Sequence, residues 1–436
     1  MSRIFKLIGL SLILALGSGL AAGSDTAATL QPYLDALQIH GCRPVDFVNN
    51  MLTTNHLVIF DDGLHTAREP FEFYQELIRD ADFQLRVRYI FLEAVSMRHQ
   101  PCLDAFLASA DGNPAALFPA FQDDFSGKGW PLKSYFDLLR TVWEVNRTLP
   151  EDQRFRVVGV SNPIYWCGIR TARDLELFRR SLASFDYSMY RQILLHLENF
   201  AGDCKGIFLT NTRHAYTGIR HRDGEFFWNC GTFFRQWHPG RTCSVRIHNA
   251  MLYIERPREP ETDTPQTTAG MERMVYRWER MENGRWDAAF RTLGNRPVAL
   301  PLTGTVFGRA PYVGNHMLTA APGQTMADAY DALIFLAPLE HLHQTAFVDF
   351  IYTPAFKQEL QRRYRILYTP AQLQERIRDK GVDSLAELIE AECRPRPAVL
   401  SPQSQAVGPA DAWRQTPGEN QARPKPPCPD RPNSVQ

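Results

Sequence analysis

An excess of one charge is the first thing this 436-residue sequence lacks. Its 48 Lys+Arg and 48 Asp+Glu cancel to a formal net charge of +0, so nothing draws the chain as a whole toward nucleic-acid phosphates or an anionic membrane. A long hydrophobic run is also missing: the N-terminal apolar stretch Leu7 to Leu16 falls well short of the ~20 residues a membrane-spanning helix needs. Without a C-x-x-C, neither a zinc knuckle nor a thioredoxin-type redox site has its sequence warrant. Gly-x-Ser-x-Gly, Walker-type and His-Glu-x-x-His motifs are absent too, which removes the warrant for serine hydrolase, nucleotide-triphosphatase and zincin readings. What remains, 44% hydrophobic and 22% charged residues with 27 Gly and 30 Pro, is the composition of an ordinary globular protein. The length admits two or three domains, or one large α/β domain with insertions.

The N-terminus has the layout of a secretory signal peptide. Arg3 and Lys6 precede the apolar run, and Gly19 to Gly23 supply the small residues of a cleavage site, so residues 1–23 are expected to be removed and the mature chain to be secreted or periplasmic. No cysteine follows the small residues, which argues against a lipoprotein anchor. In an exported chain the eight cysteines read first as structural disulfides. Their pairing is open among 105 possibilities, with Cys230–Cys243 the first guess because the two flank a Gly-, Trp- and Pro-bearing loop.

Short apolar strands then alternate with amphipathic helices. Strands are expected at Leu57 to Phe60, Val87 to Glu93, Phe155 to Val160, Gly206 to Thr210, Val298 to Leu302 and Ala332 to Leu336. Helices are expected at Ala27 to Asn50, Ala67 to Arg79, Pro131 to Arg147, Thr171 to Ser184 and Tyr187 to Ala201. This grammar predicts an α/β fold with a mainly parallel central sheet and helices on both faces. The stretch 221–261, aromatic-rich and then alternating from Ser244 to Glu255, breaks the rhythm and reads as a β-rich insertion, with helix returning over Met271 to Asn283. From residue 394 the chain turns Pro-, Gln- and Ser-rich and reads as a disordered tail, leaving 24–393 as the folded domain.

Ligands of open parallel sheets bind outside the carboxyl ends of the strands. The polar residues there are Asp61-Asp62-Gly63-Leu64-His65 after the first strand, Glu93 at the end of the second, Ser161-Asn162 after the third and Asn211-Thr212-Arg213-His214 after the fourth. Imidazoles take up protons near neutral pH, and a carboxylate orients them and stabilises their charge. A His/Glu/His set at such an edge therefore either activates water directly or holds a divalent metal that does so. Glu93 follows the apolar run Tyr89 to Leu92, where a charged side chain requires a partner. His316, His341 and His343 read as rim residues, and the aromatics after His221 as core or as a lid over the pocket.

Four segments carry a family resemblance: Val58 to His65, Phe91-Leu92-Glu93-Ala94, Met189-Tyr190-Arg191 and Leu209 to Ala215. Together with Asp328 to Phe335 they are similar, in order, to the erythromycin esterase and ChaN-like superfamily, with Tiki/TraB-type proteins as distant relatives. The resemblance spans about residues 40 to 370. It implies a hydrolase in which His65 is the base on water, Glu93 the orienting acid, His214 the second histidine and Arg191 a guanidinium steadying an oxyanion. Two positions depart from the pattern: Gly63 stands where esterases keep Glu, so Asp61 or Asp62 is expected to supply that carboxylate, and Asn211 stands where Tiki-type proteins keep Gly. The expected reaction is cleavage of an ester or amide in a small-molecule or peptide substrate. The cofactor stays open between none and a divalent metal. Two rivals share the fold: a non-catalytic module binding haem, iron or a protein partner, and a metal-dependent protease.

Overall fold

A computed structural model describes residues 29–255 and 275–407. The proposed signal peptide lies outside them. No helix among the described residues is long and apolar enough to cross a membrane.

Among the described residues there are eleven strands, β1 to β11 in chain order. Seven form the central sheet: β1 (Leu57–Asp61), β2 (Tyr89–Ser96), β3 (Arg156–Ser161), β4 (Gly206–Thr210), β5 (Thr242–Ile247), β8 (Val298–Pro301) and β9 (Ala332–Phe335), in the order β3-β2-β4-β1-β5-β9-β8. Every neighbouring pair runs parallel except β8 against β9. The chain is thus an α/β protein with a mainly parallel sheet. All five residues of β1 and all five of β4 are buried, as expected of strands covered on both faces.

Alternation along the strands divides the core in two. Val58, Phe60, Ile207 and Leu209 join one apolar layer with the helices Pro44–Thr54, Arg68–Arg79 and Lys133–Asn146. Leu57, Ile59 and Phe208 join the other, with a helix over 29–40 and the helices Phe185–His196, Cys230–Trp237 and Arg285–Thr292. Period 2 in the strands and period 3.6 in the helices meet at each face. In Arg68–Arg79, for example, Phe71, Tyr74, Leu77 and Ile78 form the buried stripe.

Four expectations are corrected. Ser244 to Ile247 are no part of an insertion, since β5 lies between β1 and β9 at the heart of the sheet, while Met251 to Glu255 of the same stretch do lie in a separate two-stranded sheet. The polar alternation of β5 arises because Cys243, Val245 and Ile247 face one core layer, while Ser244 and Arg246, on the other side, are buried among polar partners. Over Met271 to Asn283 the described part is mainly strand: β7 (Val275–Glu279) pairs antiparallel with β6 (Met251–Glu255). Ordered chain also continues past residue 394, since β11 (Val399–Leu400) pairs with β10 (His343–Gln344) and a short helix, Pro402–Ala406, follows; residues 408–436 lie outside the described part.

The cysteines give the fourth correction. All seven described cysteines are free thiols. Cys230 packs in one core layer and Cys243 in the other, so the sheet itself stands between the two sulfurs proposed as a pair. Cys428 is not among the described residues.

Candidate active site

The order β2-β4-β1 places the ends of three strands side by side, although β4 follows β1 by some 150 residues of sequence. Each contributes one turn. After β1 the backbone folds tightly on itself: Asp61 Oδ1 accepts the Gly63 N–H at 2.9 Å and Asp62 Oδ1 accepts the His65 N–H at 3.1 Å. Gly63 (φ 82°) and His65 (φ 60°) both occupy the left-handed region. Histidine is held there at a cost, and its ring is thereby turned back over Asp62.

In β2 the pairing with β3 slips between Leu92 and Ser96. A bulge of this kind re-aims a side chain, and the one it re-aims is Glu93. After β4, Asn211 caps the short helix Thr212–Ala215, its Oδ1 accepting the Arg213 N–H at 2.8 Å, and His214 is carried inward on that turn.

The result is an unbroken chain of alternating acids and imidazoles. Asp62 Oδ2 lies 3.1 Å from His65 Nδ1, and His65 Nε2 lies 3.0 Å from Glu93 Oε2. Glu93 Oε1 is 3.2 Å from His214 Nε2, and His214 Nδ1 is 2.7 Å from Asp186 Oδ1. Asp186 also accepts the Cys230 N–H at 2.8 Å. Glu93 receives further hydrogen bonds from the Thr210 hydroxyl and the Asn211 N–H. Both imidazoles and Asp62 are almost completely buried, whereas Glu93 and Asp186 keep 12% and 24% of their side-chain surface exposed. Solvent therefore meets the chain at those two carboxylates.

Burial disfavours charge on His65, but Asp62 and Glu93 outweigh it and hold the ring pKa well above its ordinary value. Burial opposes His214 in the same way, and Asp186 and Glu93 lift it to about 10. Glu93 would be raised by burial, yet the imidazoles of His214 and His65 keep it well below the usual carboxylate range. Asp62, buried beside Asp61, is pushed up despite the His65 ring. The site thus favours positive charge on both imidazoles beside an ionised Glu93.

One contact favours the other protonation state. Asn211 Nδ2 sits 3.0 Å from His65 Nε2, and because its Oδ1 is committed to the Arg213 N–H, the atom presented is an amide donor. A donor suits that ring nitrogen only when it carries no proton. His65 Nε2 accordingly has two satisfied states: protonated against Glu93, or unprotonated and accepting from Asn211.

A second buried network backs the first turn. Arg246 of β5 is paired with Asp61 and also donates to Thr212 Oγ1 (2.6 Å) and Asn249 Oδ1 (2.8 Å). The Tyr330 hydroxyl reaches Asp61 Oδ2 at 2.6 Å. Asn249 explains Gly63: a Cβ there would come within 1.9 Å of Asn249 Nδ2. The esterase-type Glu has no room at this position, and the carboxylate facing His65 is that of Asp62.

Of the five residues singled out by sequence, the structure brings Asp62, His65, Glu93 and His214 together and leaves Arg191 apart. Helix Phe185–His196 buries Met189, Tyr190, Ile193 and Leu194, which turns the exposed Arg191 outward. The same helix supplies Asp186, five residues earlier and therefore about 140° away around the axis. Asp186 carries no sequence signal beyond an acid in a first helical turn, and Arg246 sits in a stretch whose polar alternation resembles an insertion rather than a central strand. A conventional metal site does not emerge from these donors: the ring nitrogens face carboxylate oxygens rather than a common point, and among the described residues no group of three His, Cys, Asp or Glu is arranged to hold a metal ion.

Fold and site together define a class: an α/β protein with an acid–imidazole chain at the carboxyl edge of a parallel sheet. No protein-family model and no curated protein matches the chain. Solved structures with a similar chain path include a succinoglycan biosynthesis protein, 9% identical with 71% of this chain and 97% of that chain covered, at a TM-score of 0.47. A Bacillus cereus protein is 12% identical with 71% and 99% covered (TM-score 0.43). A histidine-to-asparagine variant of the erythromycin esterase EreC, in its open conformation, is 10% identical with 66% and 92% covered (TM-score 0.43).

Proposed function

We propose that this protein is a hydrolase that activates water at the His65–Glu93–His214 cluster to cleave an ester or amide in a small-molecule or peptide substrate. The supporting observation is the continuous chain Asp62–His65–Glu93–His214–Asp186. Two imidazoles buried among three carboxylates are costly as a structural device, and they provide a proton acceptor and a proton donor a few ångströms apart.

In this reading a water at the solvent-facing Glu93 carboxylate gives up a proton, which that carboxylate relays to Nε2 of unprotonated His65, whose Nδ1–H is held by Asp62. The hydroxide adds to the substrate carbonyl carbon and the C=O electron pair moves onto oxygen. Collapse of the tetrahedral adduct expels the alcohol or amine, which leaves with a proton returned by the cluster. His214, held protonated between Asp186 and Glu93, offsets the carboxylate charge of the cluster as negative charge develops on the substrate oxygen. Asn211 stabilises the state of His65 that can accept a proton. The donor arrangement favours this reading over a metal-dependent protease.

The test is turnover of graded p-nitrophenyl esters and of a peptide-amide panel by wild type, His65→Gln and Asp62→Asn, each checked for folding by circular dichroism. Hydrolysis by wild type that falls by about 10²–10⁴-fold in both variants is expected. Folded wild type that turns over neither panel sinks the proposal.

A further inference from the structure

A second polar constellation lies beyond the carboxyl ends of β2 and β3, apart from the Asp62–His65–Glu93–His214–Asp186 chain, with His99 bonded to its Asp123 at 3.2 Å. A cavity of about 580 Å³ is lined by Arg98, Arg170, Arg362 and Arg363, with only Asp123 and Glu359 to balance them, and by Cys167. Four guanidiniums against two carboxylates leave an excess of two positive charges in one concave site.

The wall is rigidly built. Arg363, with 4% of its side chain exposed, donates to Gln122 O (2.8 Å), Asp123 Oδ1 (2.6 Å) and Glu359 Oε1 (2.8 Å). Arg362 donates to Ile169 O (2.6 Å), Trp166 O (2.7 Å) and both oxygens of Glu359. Arg98 lies over the Tyr165 ring at 4.6 Å and donates to Ile164 O at 3.0 Å. Arg170 differs from these: its backbone N–H goes to Asp174 Oδ2 (3.0 Å), while its exposed guanidinium makes no hydrogen bond. Side chains already fixed by the protein lose little freedom when they take up a ligand.

We infer that this cavity is a binding site for a phosphorylated small molecule, its phosphoryl group held by the Arg98–Arg170–Arg362–Arg363 surface. Planar guanidiniums match phosphate oxygens in pairs, the surplus of two charges matches a dianion, and the volume leaves room for an organic group beside it. The site is independent of the proposed hydrolysis.

Cys167, a free exposed thiol in the lining, supplies the readout, and Cys42, free and exposed on another part of the molecule, supplies the control. Alkylation by iodoacetamide is followed at each cysteine by peptide mass, with inorganic phosphate, phenyl phosphate, or chloride at matched ionic strength. Phosphate and phenyl phosphate are expected to slow modification of Cys167 and leave Cys42 unchanged. Arg170→Gln, at a position with no structural bond, is expected to raise the phosphate concentration needed for half-protection by about tenfold, with Arg170→Lys between it and wild type. Equal protection by chloride, or a concentration dependence unaltered in Arg170→Gln, overturns the assignment.

Discussion

His65 shows how much of the site rests on single backbone angles. Its left-handed conformation and that of Gly63 two residues before it close the turn that sets Asp62 against the ring. A side chain at 63 meets both the positive φ and the Asn249 amide, so Gly63→Ala is expected to cost about 2–4 kcal/mol of stability, measured by urea denaturation. Wild-type stability in that variant would mean that the turn relaxes without loss. Asn211 makes a subtler contribution, since its amide supports unprotonated His65 Nε2. Asn211→Ala should therefore move the alkaline-rising limb of kcat/KM to higher pH while leaving the limiting rate largely intact. Unequal loss of rate with an unshifted profile would assign Asn211 to packing instead.

Elements decide which of these residues meet. Strand ends, and the polar residues on them, were legible because short apolar runs punctuated by Asp, Asn and Gly have few alternative readings. The lateral order of the strands was not, since nothing local says that β4 inserts between β2 and β1. Glu93 is readable as a buried acid needing a partner, but its aim depends on a bulge that only pairing with β3 reveals. Arg246 was lost because a strand with one polar face looks like an insertion, although it is the central β5. Its guanidinium, buried with Asp61, Thr212 and Asn249, ties the β1 turn to the β4 turn. Arg246→Met leaves the Asp61 carboxylate without its ion partner, and a loss of about 3–5 kcal/mol is expected by urea denaturation. Arg191, turned outward by the period of its helix, should tolerate Ala within about 0.5 kcal/mol and without loss of turnover. A large effect of Arg191→Ala on turnover would restore it to the site that the sequence motif assigned it.

For the molecule as a whole, the buried cluster links stability to pH, and His214 gives the clearest sign. Its pKa rises from 6.5 to about 10 on folding, because Asp186 and Glu93 outweigh the burial that opposes its charge. Below pH 6.5 the ring is protonated in both folded and unfolded chains, and the favourable interaction is present in full. Between 6.5 and 10 the unfolded chain releases the proton while the folded one keeps it, so each unit of pH removes about 1.4 kcal/mol of that contribution. Above 10 the contribution is gone. Urea midpoints of wild type and His214→Gln should accordingly lie far apart at pH 6 and converge by pH 10. Glu93 acts at the other end of the scale: held below its unfolded value of 4.5, it contributes stability above that pH and loses it on acidification through its folded pKa. A gap between wild type and His214→Gln that stays constant from pH 6 to pH 10 would mean that the imidazole is neutral in the folded protein, and the positive charge placed on His214 would have to be sought elsewhere in the cluster.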